Sequence, residues 1–297
     1  MRVAVIGQPG AWSTERLVSA VRDEGVEASV VDLAACALTF PHARLYAGGR
    51  PLEGLDGAVV KKVGDAADGS PLGARINLLR ALERSGVPVE SRPERLAVAA
   101  DRYRMSLELA SAGLPMPETV VTDDLDEAMA AVRRFGAAVL KPLFTSKGRG
   151  MQRLTADGDP RGTLERHRAR HGLPFYLQRF VPHPGRDLGV AVLEGRCLGA
   201  YWRIAARDQW MTTILSGGRY APAEPPPEVV SIAERAARHF ELLFTGVDLI
   251  ETPDGGWLCL EVSAFGGFRG LSTALGLDAA PLVARAALER FSVGSRA

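Results

Sequence analysis

Apolar residues recur along this chain with two periods, and each change of period marks a change of element. Residues 2–7 form a continuous apolar run, the pattern of a strand buried on both faces. Beyond it Leu17, Val18 and Val21 share one helical face, so the spacing predicts a helix from a Ser13 cap to Glu24, ended by Gly25. Residues 28–33 and 57–60 read as buried strands, 76–84 as a helix and 87–90 as a short strand. Strands alternating with helices predict an open parallel sheet with helices on both faces.

A second region begins near Arg92-Pro93, with a long amphipathic helix over 99–112 that stops at Gly113. A strand at 118–121, a helix at 125–135 and a very apolar strand at 137–141 follow. After a glycine-bearing loop come a basic helix at 160–171 and a strand at 174–181. The third region predicts antiparallel sheet: strands at 188–193, 196–206, 247–251 and 257–262, a helix at 228–242, and a closing helix at 279–291. The prolines from Pro222 to Pro227 read as a surface loop before a helix. These shifts divide the chain into 1–94, 95–183 and 184–297.

Composition narrows the function classes. With 36 Lys+Arg against 35 Asp+Glu, the net charge of +1 lacks the basic footprint of a nucleic-acid binder. The apolar runs are far short of the ~20 residues a membrane helix needs. No charged segment followed by an apolar one opens the chain, and three isolated cysteines form no CxxC pair. The expectation is a cytoplasmic globular protein, with neither nucleic acid nor membrane as partner. The chain holds only four lysines, Lys61, Lys62, Lys141 and Lys147, so lysine marks positions where a thin point charge replaces the broad arginine fork.

Three signals carry candidate chemistry. Gly7-Gln-Pro-Gly10 follows the first strand but matches neither GxGxxG nor the P-loop, and reads as a turn after an edge strand. Residues 139–151 are stronger: a buried strand ends at Lys141, and the loop offers Ser146, Lys147, Gly148 and Gly150, small residues and cations suited to a polyanion. A solvated hairpin loop has the same composition. Third, two apolar strands joined by a Pro-Asp-Gly-Gly turn (253–256) carry Asp248 and Glu261. If the register pairs them, two carboxylates in a dry site require a cation, and magnesium takes such oxygens together with phosphates. Pairing with an arginine is the plainer alternative. His167 and His171, four apart on an arginine-rich helix without an HExxH frame, read as a solvated face.

In this order and spacing the pieces resemble the ATP-grasp superfamily, and within it the RimK-type alpha-L-glutamate (amino-acid) ligases. The likeness is densest in residues 86–93, 101–110, 113–117, 139–141, 246–248 and 260–263. It implies an α/β and α+β chain: an N-terminal Rossmann-like open sheet and two α+β subdomains enclosing ATP. It further implies an ATP- and Mg2+-dependent carboxylate–amine ligase working through an acyl phosphate. By position, Lys141 would hold phosphates and act with Arg203 near the transferred phosphoryl. Arg102, the loop residues Ser146, Lys147, Gly148 and Gly150, the hinge Gln178, Arg179, Phe180 and Val181, Asp187 and Thr213 would contact nucleotide. Asp248, Glu261 and Ser263 would bind two magnesium ions, with Mn2+ as a substitute, and Lys62 and Arg269 would face substrate. The chain departs from the family pattern at Ser263 (usually Asn), Arg179 (usually Glu), Arg102 (usually Lys) and Gly189 (Arg in several relatives). Glutamate is the first expectation for the amine, added to a pterin- or furan-cofactor-like small molecule or a peptide carboxylate. The alternatives are a ligase joining another amino acid in a carrier-protein or natural-product pathway, and a degenerate nucleotide-binding regulator. Such ligases are homo-oligomers, dimers or tetramers.

Overall fold

The computed structural model describes residues 1–64 and 72–294. The first region comprises β1 (Arg2–Ile6), α1 (Trp12–Asp23), β2 (Glu27–Val31), β3 (Cys36–Thr39), β4 (Arg44–Ala47), β5 (Arg50–Pro51), β6 (Gly57–Val60), α2 (Leu72–Arg84) and β7 (Val89–Glu90). Its main sheet is parallel, in the order β2-β1-β6-β7. β1 is therefore an inner strand, not an edge, which is why its apolar run is unbroken. The loop after it leaves the sheet where the order reverses, with β2 on one side and β6 on the other. The small β3-β4-β5 sheet has no counterpart in the sequence reading. Helix α1 starts at Trp12 after Ala11 rather than at a Ser13 cap, and Glu15 accepts instead from the Gly10 N–H at 2.8 Å.

The predicted helix over 99–112 is two helices, α3 (Pro93–Ala100) and α4 (Arg102–Ser111). Asp101 breaks it: its backbone is extended and its carboxylate accepts from the Tyr103 and Arg104 amides at 2.9 and 3.4 Å. That cap makes Arg102 the first residue of α4, where it is buried. The central lobe follows as β8 (Thr119–Thr122), α5 (Leu125–Phe135), β9 (Ala137–Leu140), β10 (Gln152–Thr155), α6 (Pro160–His171) and β11 (Phe175–Arg179). Its antiparallel sheet runs β10-β9-β11-β8 and carries a core of its own, with Val132, Leu140, Leu154, Leu164 and Phe175 all buried. Helix α6 is not solvated throughout. His167 is 2% exposed, its ring against Phe175 and His171, and burial lowers its pKa to about 4.

The last region holds β12 (Arg186–Leu193), β13 (Arg196–Ile204), β14 (Arg219–Ala223), α7 (Pro227–Phe240), β15 (Phe244–Glu251), β16 (Trp257–Val262), α8 (Arg269–Leu275) and α9 (Ala280–Gly294). The antiparallel sheet is ordered β14-β13-β12-β15-β16. Pro222, read as loop, lies in edge strand β14, a position that tolerates a missing amide. One face, with Leu188, Val190, Val247 and Leu249, joins Ile6, Leu96 and Met105 and helix α7 in one continuous core. Helices α8 and α9 pack with Tyr201, Val5 and Leu17 in a second cluster. Among the described residues no helix is long and apolar enough to cross a membrane.

Candidate active site

Side chains two apart on a strand share a face, and the register gathers the polar ones onto a single face of the last sheet. Asp187 and Gly189 on β12 lie opposite Arg203 and Tyr201 on β13, Gly189 opposite Asp248 on β15, and Asp248 opposite Glu261 on β16. A bulge supplies the last pairing. Leu249 pairs with Cys259, so β16 inserts one extra residue before Glu261.

Arg203 is the electrostatic centre of this face. It donates to both Asp187 oxygens at 2.7 and 2.9 Å, and its Nη1 lies 2.8 Å from Asp248. Burial works against its charge, but the Asp187 and Asp248 carboxylates prevail and hold its pKa well above the ordinary value. Asp187 also accepts from Thr212 Oγ1 at 2.7 Å, so both its oxygens are engaged. This geometry makes Asp187 a buttress for Arg203. Burial raises the Asp248 carboxyl to about 7; Arg203 opposes the rise, and the Asp187 and Glu261 carboxylates add to it.

The central lobe brings cations to these acids. Lys141, immediately after β9, is buried and donates to Gln178 Oε1 at 2.6 Å. Desolvation lowers its pKa to about 8, helped by Arg102 and opposed by Glu261, Asp248 and Asp187. Arg102 reaches Glu261 at 3.5 Å, Thr145 Oγ1 at 3.3 Å and the Pro142 carbonyl, while its buried Nε has no partner. The loop beyond is open: Ser146 and Lys147 are exposed, and Lys147, Gly148 and Gly150 all have positive φ. Gly148 sits against Thr213, whose Cγ2 would stand 3.0 Å from an added Cβ. The loop of one lobe thereby meets the chain of the other.

The hinge side chains are engaged by neighbouring protein groups. Gln178 is held between Lys141 and Thr119, its Nε2 donating to Thr119 Oγ1 at 3.2 Å. Arg179 turns to Glu118 at 2.6 Å and over the Phe135 ring, so its guanidinium rests on the central lobe's own surface. The Arg179 and Phe180 amides bond to the Glu118 and Ala137 carbonyls. Phe180 packs at an edge-on 6.1 Å from Trp210 and 5.8 Å from His183, with Arg153 over its face, and Val181 is buried beside it. Trp210 and Thr212 were not singled out in the sequence, because the 205–213 loop shows no periodicity, and neither was His183 in the 180–185 connection. Ser263, after β16, bonds through its backbone to Gly246 and Thr245.

On the other side, Lys61 and Lys62 separate. Lys61 is buried, donates to the Gly266 carbonyl and lies 4.3 Å from the Phe268 ring centre; burial, then its neighbour Lys62, lowers its pKa to about 7. Lys62 donates to Gln8 Oε1 at 2.9 Å, and the Arg269 guanidinium lies 5.4 Å from the Trp12 ring centre.

The set fits ATP and magnesium. Asp248 and Glu261 are hard oxygen donors, burial penalises the charge of Asp248, and Arg102 keeps a buried N–H unmatched. Among the described residues no group of three or more His, Cys, Asp or Glu gathers to hold a metal, so remaining ligands would come from phosphates and solvent, the habit of magnesium.

Comparison with known proteins decides the family. The profile described as "Prokaryotic glutathione synthetase, ATP-grasp domain" matches residues 107–254. The tetrahydromethanopterin:alpha-L-glutamate ligase of Methanosarcina acetivorans is 33% identical over 263 residues, covering 83% of this chain and 81% of that one. A probable alpha-L-glutamate ligase of Xanthomonas campestris pv. campestris is 30% identical over 94% of this chain and 96% of its own. The chain belongs to the RimK-type glutamate ligases of the ATP-grasp superfamily. The crystal structure of a RimK domain ATP-grasp protein from Sphaerobacter thermophilus superposes with a TM-score of 0.76 at 26% identity, over 97% of this chain and 100% of that one. The expected ATP-grasp architecture is thus the observed one, and this ATP-grasp chain is an ATP-dependent carboxylate–amine ligase, an enzyme class that uses ATP and Mg2+.

Proposed function

We propose that this ligase adds L-glutamate to the carboxylate of a small cofactor-like molecule, of pterin or furan type, or to a peptide carboxylate. What carries the reading is the pairing of Asp248 with Glu261 opposite two buried cations, Lys141 and Arg102. The names of the M. acetivorans and X. campestris relatives support glutamate as the amine.

In this scheme a substrate carboxylate oxygen attacks the γ-phosphorus, the bond to the β–γ bridging oxygen breaks, and ADP leaves with the electron pair. The glutamate nitrogen then attacks the acyl carbon, phosphate departs, and the nitrogen loses its proton. Lys141 and Arg102 neutralise phosphate oxygens, and Ser146, Lys147, Gly148 and Gly150 close over them, meeting Thr213. Backbone at Gln178–Val181 faces the base. Arg203, held rigid by Asp187, stabilises charge on the transferred group. Asp248, Glu261 and Ser263 would hold two magnesium ions (or Mn2+), supplying further charge neutralisation when bound. Lys62 and Arg269 orient the acceptor. The working form is a cytoplasmic homodimer or tetramer.

The test is ADP and phosphate release with each amino acid and a panel of carboxylate acceptors, with product masses recorded. Glutamate- and acceptor-dependent release is expected. Tight ATP binding without stimulation by any pair would overturn the proposal.

A further inference from the structure

Strands β13 and β14 are antiparallel neighbours that pair as far as Ile204 and Arg219. A two-residue turn would suffice to join such strands. The chain instead runs out from Ala205 to Gly218, and both ends of this excursion are fixed. The Ala205 amide donates to the Gly185 carbonyl at 2.8 Å, and the Gly218 amide donates to the Thr213 carbonyl at 3.1 Å. Gly218 leaves no room for a side chain: an added Cβ would stand 2.6 Å from the Thr212 carbonyl oxygen and 3.0 Å from that of Ile204. A connection longer and better anchored than its turn requires is a candidate for function.

The stretch from Trp210 to Thr213 touches the hinge, the glycine loop and the Arg203 pair. Trp210 lies edge-on to Phe180 of the hinge, with ring centres 6.1 Å apart. Met211 and Thr213 face the glycine loop, where a Cβ added to Gly148 would stand 3.5 Å from Met211 Sδ and 3.0 Å from Thr213 Cγ2. Thr212 faces the other way. It is buried and donates to Asp187 Oδ2 at 2.7 Å, the oxygen that also accepts from Arg203 Nη2 at 2.9 Å. Thr213 has an extended backbone (φ −69°, ψ 146°), and side chains alternate along an extended chain. Residues 211 and 213 therefore share the side toward the central lobe, while 212 takes the side toward the last sheet.

Arg203 is contested by two carboxylates, since its Nη1 also lies 2.8 Å from Asp248. Where its planar fork sits depends on how firmly Asp187 is held, and the Thr212 hydroxyl keeps that carboxylate from rotating. We infer that Thr212 is a positioning residue for Arg203, and that the stretch 210–213 is a strut through which closure of the glycine loop sets this arginine for phosphoryl transfer. Pressure from the loop on Met211 and Thr213 reaches Thr212 through the backbone between them, and Thr212 passes it to the Asp187–Arg203 pair. Identifying the transfer as a step of amide ligation rests on the ligase reading; the contacts do not.

The test is calorimetric titration of the whole protein with ADP and magnesium, alone and with aluminium fluoride as a mimic of the transferred phosphoryl group. In the wild-type protein the fluoride is expected to tighten ADP by about 100-fold or more. Thr212→Val keeps the shape and removes the hydroxyl. It should leave the affinity for ADP alone within about twofold and cut the fluoride gain by about tenfold, whereas Thr212→Ser should keep the gain. In turnover, Thr212→Val should lower kcat by about tenfold with KM for ATP unchanged. A merely structural role would instead weaken ADP and lower Tm together. Gly148→Ala, which presses on Met211 and Thr213, should also reduce the gain, and combining it with Thr212→Val should cost little more than either change alone. A full fluoride gain in Thr212→Val, a loss that Thr212→Ser shares, additive losses in the double variant, or no gain in the wild type would each overturn the inference. The two readings fail separately. If Thr212→Val turns over glutamate and acceptor at wild-type efficiency, the strut is wrong and the ligase stands. If the fluoride gain depends on Thr212 but no amino acid and acceptor elicit ADP, the strut stands and the ligase reading falls.

Discussion

The two lobes that face each other across the site are held in different ways. The central lobe is closed on itself: Val132, Leu140, Leu154, Leu164 and Phe175 pack together, separate from the other core clusters. The last sheet buries one face in a core shared with the first region and helices α3 and α4, where Val190, Val247 and Leu249 join Ile6, Leu96 and Leu109. The acids and Arg203 thus stand on a wide, rigid platform, while Lys141 and the glycine loop ride on a small separate unit. A small core opens at lower free energy than a large one. The division suits a ligase that admits nucleotide between lobes and closes a loop over it.

Several measurements would break or sharpen this comparison. The largest effect is expected at the platform: Glu261→Ala should lower kcat by on the order of 10^3-fold or more with circular dichroism unchanged, since it removes charge stabilisation at the reacting centre. Lys141→Ala should fall similarly, and near-wild-type turnover in either would remove that residue from the site. Next, Leu140→Ala should destabilise the central lobe by about 2–5 kcal/mol. Hydrogen exchange should then accelerate at residues 119–179 and leave 186–262 protected; uniform acceleration would show that the lobes unfold as one.

Acid should separate them too. His167 has its pKa lowered to about 4 by burial, against 6.5 when free. The unfolded chain binds the extra proton first, so central-lobe stability falls as pH drops from about 6.5 to 4. His167→Phe should flatten that dependence in denaturant melts. Lys61, lowered to about 7 from 10.5, places the same sign in another window: stability from the contact between the first region and the Gly266 segment rises as pH goes from about 7 to 10.5. Lys61→Met should abolish that rise while the acid limb persists. The smallest effect is expected at the loop, where Gly148→Ala adds a Cβ at φ +75° close to Thr213. A strain of about 1–2 kcal/mol should lower kcat by roughly 5- to 30-fold without changing the melting of either lobe.

Much of this was legible along the chain. Helix 125–135 and strands 57–60 and 257–262 follow from apolar patterning and flanking turn residues, and helix 160–171 from its Asp159-Pro160 start and Gly172 end, because these signals lie within one segment. Lys141 and the Asp248–Glu261 pair stood out as charges interrupting apolar runs. Asp101 was legible as a cap in principle, yet the apolar pattern on both sides outvoted it and merged two helices. The β3-β4-β5 sheet and α8 were missed because they are short and gain their stability from packing rather than periodicity.

The sequence by itself therefore determined the order of elements, the ATP-grasp resemblance and the residue types available for phosphate and metal. Only the tertiary structure decided which of them meet. A bulge in β16 set Glu261 opposite Asp248, Asp187 came to support Arg203, and Lys61 was buried while Lys62 reached Gln8. The physical reason is range. Periodicity reports which face of a segment is buried, whereas register, desolvation and charge pairing depend on groups brought together from distant parts of the chain.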